Sequence, residues 1–220
     1  MSNLVTVIFY SSNQEKPEFE QGILANLREA CGDLPIVSVT QKPVDLGCNI
    51  VVGDIGVSGF NMFRQVQIAC EAASSRFVVS AEADCLYPPD YFRFIPDRLD
   101  LCYRNTNLWV MPQWRAFFWR KTEGATHSQI IGRDFYLARL NQLFVGAPMW
   151  SADERNFPKE RGLGEDVFPP EQIAFYETEN PVVQIKTDRS MRHYTHSERV
   201  DTPELPYWGT GKAFRARWYR

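Results

Sequence analysis

Apolar and polar positions follow two rhythms along the first half of the chain. Leu4 to Tyr10 is an apolar, β-rich run of the kind that forms a buried strand. A polar loop, Ser11-Ser12-Asn13, comes next. Pro17 then opens a helix, because its fixed φ and missing N–H suit a first helical turn. Phe19, Ile23, Leu27 and Ala30 recur at helical spacing as one apolar stripe, and Gly32 marks the end. Pro35 to Thr40 alternates as a second strand. The loop Gly53 to Asn61 (GDIGVSGFN) carries glycines that permit tight turning or close backbone approach to a ligand. Met62, Val66, Ala69 and Ala73 share one face of a second helix, and Arg76 to Ala81 forms a third strand.

This alternation predicts an α/β fold with a mostly parallel central sheet flanked by helices. Ligands of such sheets bind beyond the carboxyl ends of the strands. The third strand ends on two acids, Glu82 and Asp84, just before a Tyr-Pro-Pro-Asp turn. The second half is less regular. Asn107 to Met111 and Ala116 to Arg120 predict two strands joined by a short turn. Asp134 to Phe144 predicts a helix and Val182 to Lys186 a late strand. Ser151 to Gly164 is polar and loop-like. No repeat, low-complexity segment or clean linker divides the chain. The expectation is one domain over 1–220, with a ligand-binding half (1–112), a catalytic half (113–196) and a basic-aromatic C-terminal extension (197–220).

Composition narrows the class. The net charge of −3 over 220 residues excludes a uniformly basic nucleic-acid coat but leaves room for a local basic patch. The five cysteines are odd in number, widely spaced and free of any C-x-x-C, which argues for reduced thiols and a cytoplasmic setting. The longest apolar run is too short to span a bilayer, and the N-terminus lacks a signal-peptide pattern, so no membrane partner is expected. Three histidines, His127, His193 and His196, exclude a multi-histidine metal site. No Gly-x-Gly-x-x-Gly follows the first strand and no Gly-x-Ser-x-Gly occurs.

Three clusters carry candidate chemistry: Glu82-Ala83-Asp84 at a strand end, Gly164-Glu165-Asp166 at a turn before a predicted helix, and Arg192-His193-Tyr194-Thr195-His196 after the late strand. In their order and spacing they resemble the nucleotide-sugar glycosyltransferases of the GT-A fold, most closely the family 2 enzymes. EADCLYPPDY is similar to that family's D-x-D-like motif and following turn, with Glu82 in place of the first aspartate and Cys85 where a further acid often stands. GEDVF is similar to its Glu-Asp pair, and GVSGFNMFRQ to its loop leading into a helix with an arginine.

The resemblance implies an inverting, metal-dependent transferase. Asp166 or Glu165 would be the catalytic base. Tyr10, Ser11, Ser12, Asn61, Arg64, Glu82 and Asp84 would hold the donor, with Tyr10 to Ser12 stacking on and hydrogen-bonding the base. Asp84, with His193 or His196, would hold Mn²⁺ or Mg²⁺. Such cations take oxygen ligands and offset charge on a departing diphosphate. A UDP-sugar is the first choice of donor. His127 lies in a loop that resembles the family's acceptor-facing loop.

Two stretches interleave basic and aromatic residues: Trp114 to Lys121 and Gly209 to Arg220. Basic side chains neutralise phosphates and aromatic rings stack on exposed bases. Size, motif order and the LPYWG end also resemble small bacteriophage glycosyltransferases, some of which modify hydroxymethylated pyrimidines in their own DNA. That favours a DNA acceptor, flipped from the stack and met by His127, Arg115, Trp119, Arg192 and Arg215, in the host cytoplasm. The rival readings are a transferase for a glycan, lipid-linked or protein acceptor, and a non-catalytic nucleotide-sugar or nucleic-acid binding module.

Overall fold

The computed structural model describes residues 4–153, 167–191 and 195–219. In chain order its elements are β1 (Val5–Ser11), α1 (Pro17–Cys31), β2 (Ile36–Thr40), β3 (Cys48–Val51), α2 (Gly59–Ala72), β4 (Phe77–Glu82), β5 (Cys85–Leu86), β6 (Cys102–Asn105), β7 (Leu108–Pro112), β8 (Trp119–Arg120), β9 (Gln129–Gly132), α3 (Arg133–Leu143), β10 (Ile173–Tyr176), β11 (Val182–Lys186), β12 (Glu204–Leu205), β13 (Gly209–Thr210) and α4 (Gly211–Trp218).

Among the described residues a seven-stranded sheet runs in the order β10-β6-β9-β4-β1-β2-β3. The run β4-β1-β2-β3 is parallel throughout, with Val5 opposite Phe77 and Val7 opposite Ile36. Parallel neighbours need crossovers: α1 links β1 to β2, the segment 41–47 links β2 to β3, and α2 carries the chain from β3 back to β4. β9 lies antiparallel between β4 and β6. Side chains alternate along β1 and so build two cores. Val5, Val7 and Phe9 pack with Phe19, Ile23 and Leu27 of α1. Ile8 and Tyr10 pack with Phe60, Phe63 and Val66 of α2 on the other face.

A second sheet, β5-β11-β7-β8, comes from the later chain. β7 and β11 pair in parallel, and β8 folds back antiparallel on β7 as the alternation predicts. β5 follows β4 directly and pairs with β11, which sets Cys85 opposite Gln184. The acid-bearing end of β4 is thereby stitched to the second sheet.

The strands β3, β6, β9 and β10 were not legible in the sequence. Each is four residues long, too short to establish a period. The end of the chain is not a loose tail. Phe214 of α4 is only 1% exposed and meets Phe118 edge-on at 5.2 Å. Trp218 lies against Gly22 of α1. No helix of the described residues is long and apolar enough to cross a membrane.

One close approach gives a first stability test. A Cβ on Gly132 would lie 2.1 Å from the carbonyl oxygen of Leu99. The obstacle is backbone, so it cannot swing aside. Gly132→Ala is expected to cost about 1–3 kcal/mol, read as a lower urea midpoint.

Candidate active site

The loops leaving β1, β2 and β4 surround a cleft at the carboxyl edge of the parallel strands. The chain moves from β1 to β2 on one side and later to β4 on the other, so the cleft sits at the switch point of the sheet, where α/β folds bind ligands. Ser11, Ser12, Gln14 and Glu15 line one side, and Gly56, Val57 and Ser58 another. Glu82, Ala83 and Asp84 contribute from the end of β4, and Arg189 to Met191 from beyond β11.

Polar side chains from α2 fix these loops. Gln65 donates to the carbonyls of Ser11 and Val39 at 2.9 and 3.0 Å, tying the helix to the ends of β1 and β2. Ser58 caps α2 by accepting from the Asn61 N–H, and its hydroxyl donates to the Ser151 carbonyl at 2.6 Å. Asn61 donates to the Ile55 carbonyl at 2.6 Å and accepts from the Ser151 N–H at 2.8 Å. The glycine-bearing loop is thus held to the chain at Ser151, 90 residues away in sequence.

The acids are held individually. The Tyr10 hydroxyl donates to Glu82 Oε1 at 2.8 Å. Gln184 Nε2 donates to Asp84 Oδ2 at 2.9 Å, and the Cys85 thiol donates to Asp84 Oδ1 at 3.2 Å. The Thr187 hydroxyl donates to Glu15 Oε1 at 2.6 Å. Burial, and then the neighbouring Asp84 carboxylate, push Glu82 up to about 7. Burial also raises Glu15; its Thr187 bond opposes that rise and the charge of Asp84 adds to it.

A carboxyl raised from 4.5 to about 7 holds its proton in the folded state after the unfolded chain has released it. Its contribution to stability is complete below pH 4.5 and is lost as pH rises through 7. The loss amounts to at most about 3 kcal/mol. Glu82→Gln removes it. The variant's melting temperature, with a chelator present, should therefore exceed that of the unaltered protein by more at pH 8 than at pH 5. An equal difference at both pH values counts against the shift.

Behind the acids lies a second polar layer. Lys121 Nζ donates to Gln184 Oε1 at 3.4 Å, so Gln184 bridges Lys121 and Asp84. Burial lowers Lys121, and nearby Lys186 lowers it further. His127 is pushed well down by burial and by both lysines, and its Nε2 has no hydrogen-bond partner among the described residues.

Two donor sets for a cation are present. Glu15, Glu82 and Asp84 offer only oxygens and line the cleft itself, which suits Mg²⁺ or Mn²⁺. Deeper in, ligand atoms of Glu82, Cys85 and His127 lie within 4.8 Å of one another. That set is opposed on two counts. Burial and then Asp84 push the Cys85 thiol well up, so it stays protonated. Lys121 and Lys186 also bear on His127 with positive charge. The cleft set fits a divalent cation better.

Of the sequence-predicted donor residues, Tyr10, Ser11, Ser12, Asn61, Glu82 and Asp84 come together along this cleft. Two readings are corrected. The Tyr10 ring is 4% exposed and belongs to the core, so it offers no open face to a base; its hydroxyl serves Glu82 instead. Arg64 is not among the cleft-lining residues. Its guanidinium donates to Gln67 and to the carbonyls of Ala147 and Pro148, and lies 3.9 Å from the centre of the Phe144 ring.

The acceptor expectations fare differently. His127 is 3% exposed and faces the second polar layer, because the Tyr87 hydroxyl holds its carbonyl inward. Arg115 and Arg215 are exposed, and Trp119 is tied to Asp201 at 2.8 Å with Arg199 over its ring. None of these three lines the cleft. His196 is exposed and is not among the cleft-lining residues; its carbonyl accepts from the Thr122 N–H. Glu165, Asp166, Arg192 and His193 lie outside the described residues. Sequence reading missed Glu15, Lys121, Gln184, Lys186 and Arg189. Only Glu15 had a local signal, as an acid in the loop after a strand.

The mixed sheet, its strand β4 ending on Glu82 with Asp84 just beyond at the switch point, is a GT-A-like α/β fold. Solved structures share it. A glycosyltransferase involved in glycosylation of the major capsid of PBCV-1 matches with a TM-score of 0.50 and 14% identity over 83% of this chain and 92% of that one. The apo-form glycosyltransferase GlyE of Streptococcus pneumoniae TIGR4 matches with a TM-score of 0.54 and 8% identity over 99% of this chain and 61% of that one. In several matched structures the chain spans 37–61% of the other protein's length. No protein-family model and no curated protein matches the sequence.

Proposed function

We propose that the chain transfers a glycosyl group from a nucleotide-sugar donor to a hydroxyl acceptor, with inversion at the anomeric carbon. The observation that carries this reading is the cleft at the switch point, where Asp84, Glu82 and Glu15 meet the loop after β1. The donor would lie along Ser11, Ser12 and the Gly56–Ser58 loop, with Arg189 near its diphosphate. A divalent cation held by Asp84, with Glu82 or Glu15 beside it, would offset charge on the departing diphosphate. In the transfer step the anomeric carbon–phosphate oxygen bond breaks and a bond to the acceptor oxygen forms. The acceptor proton passes to a carboxylate. Asp166 is the first choice for that base and Glu165 the second. Val167 and Phe168, which follow the pair in sequence, are buried, and the Phe168 ring packs against Phe135 and Tyr136 of α3.

For the acceptor we favour a second cavity, of about 530 Å³, walled by Arg104, Thr106, Arg120, Lys121, Thr122 and Phe175, with Glu123 and Glu198 also contributing. Lys121 and Gln184 connect it to Asp84. Its arginines suit an acceptor that carries phosphate, and a hydroxymethyl pyrimidine in DNA is one such acceptor. Stacking by the basic-aromatic stretches does not support DNA, since Phe118 and Phe214 are core residues.

The test is mass spectrometry after incubating the full chain with Mn²⁺, a panel of nucleotide sugars, and DNA with or without hydroxymethylated pyrimidines. A hexose-sized gain on the modified base supports both reaction and acceptor. Release of free nucleotide without that gain keeps the transferase and rejects DNA. Neither signal, with nucleotide sugar still bound, favours a binding module.

A further inference from the structure

The motif Leu205-Pro206-Tyr207-Trp208-Gly209 has no part in the transfer reading, yet the fold builds a cavity around it. The cavity, about 300 Å³, is bounded by Glu29 of α1, by Tyr207 and Trp208 in the turn between β12 and β13, and by Phe214, Arg217 and Trp218 of α4. Its size lies at the small end of ligand pockets. Trp208 is held firmly: its indole N–H donates to the Pro181 carbonyl at 2.6 Å, and its ring meets Phe214 and Trp218 edge-on at 5.6 and 6.4 Å.

Tyr207 is the odd member. Its φ is +66°, a left-handed conformation that a bulky side chain rarely adopts. The ring is nonetheless 54% exposed, set edge-on to Trp208 at 4.7 Å. The turn sets this conformation, since the Trp208 N–H donates to the Pro206 carbonyl at 2.7 Å between the paired strands β12 and β13, and it leaves the Tyr207 side chain on the cavity wall.

The polar groups define the ligand. Glu29 and Arg217 line the cavity together with Tyr207, one carboxylate and one guanidinium. Arg217 also lies 4.5 Å from the centre of a Trp218 ring. One acid and one base leave no net charge to attract a phosphate. They supply hydrogen-bond acceptors and donors beside aromatic faces. That combination matches a ring with an apolar C–H face and a rim of hydroxyls.

We propose that this cavity binds a neutral pyranose, separately from the donor cleft. Pro17 opens α1 beside the cleft and Glu29 lies twelve residues further on, about 18 Å along a helix. The sugar held here is therefore anchored rather than transferred, and the proposal does not depend on transfer activity.

Tryptophan fluorescence of the full chain, titrated with the methyl glycosides of glucose, galactose and N-acetylglucosamine, tests it. A saturable change with a Kd on the order of 1 mM is expected for at least one of them. Tyr207→Gly removes the ring and suits the positive φ, so its thermal midpoint should hold or rise while binding weakens at least about tenfold. Glu29→Gln should weaken binding as well. The proposal fails if none of the three glycosides gives a saturable response, if Tyr207→Gly binds as tightly as the unaltered chain, or if inorganic phosphate competes.

Discussion

Asp84→Asn should lower donor turnover by about 100- to 1,000-fold while leaving the fold intact. The size of the effect follows from how Asp84 is held. One oxygen accepts from Gln184 and the other from Cys85, and its backbone carbonyl accepts from the Ile185 N–H at 2.7 Å. The carboxylate cannot turn away from the cleft, so losing its charge removes the best-placed oxygen donor for a cation. Asparagine keeps the shape, which separates charge from packing. Glu82→Gln should cost far less, because burial and then Asp84 raise the Glu82 carboxyl to about 7, so it holds its proton more readily than an ordinary carboxyl, and it is engaged with Tyr10. Nucleotide release from each variant, with calorimetry of nucleotide binding, gives the ranking. A larger loss in Glu82→Gln than in Asp84→Asn would move the cation to Glu82 and overturn the assignment.

Phe214→Ala should destabilise the whole chain by about 3–5 kcal/mol. Phe214 joins three parts of the molecule: Phe118 from the β7–β8 hairpin, Trp208 from the LPYWG turn, and the core cluster that includes Val5 and Leu27. Truncation leaves a cavity that edge-on aromatic neighbours, one of them held by the bond from Trp208 to Pro181, cannot close. Denaturant unfolding should show one transition at a lower midpoint. An unchanged midpoint would mean that α4 is energetically detached from the body.

The elements that could be read from the sequence are those whose period is long enough to count. α1 announces itself by Pro17, an apolar stripe and Gly32, and the structure has it at Pro17–Cys31. β11 is a short β-rich run, Val-Val-Gln-Ile-Lys, that ends as expected at Lys186. The short strands gave no such signal. β6 carries Arg104 and Asn105, which look like loop residues. They are buried because Asn105 bonds Thr178, just beyond the neighbouring strand β10, and Arg104 reaches Gln129 on β9. The basic end misled for a related reason. Lys212, Arg215 and Arg217 dominate the composition of α4, while Gly211 and Phe214 decide how it packs.

The same division holds at the candidate site. By itself the sequence determined that a buried strand would end on Glu82 and Asp84, because strand periodicity and the succession of elements along the chain depend on local residue pattern. Which groups surround those acids was decided by tertiary structure alone. Gln184 stands 100 residues from Asp84, and Thr187 stands 172 from Glu15. Pairing of β5 with β11 brings Gln184 to the acids, and no local pattern encodes a partner that a second sheet delivers. Burial also reassigned Tyr10, His127 and Arg64. A polar side chain shows in sequence what it can bond to, and only the packed chain determines whether its partner is a ligand or the protein itself.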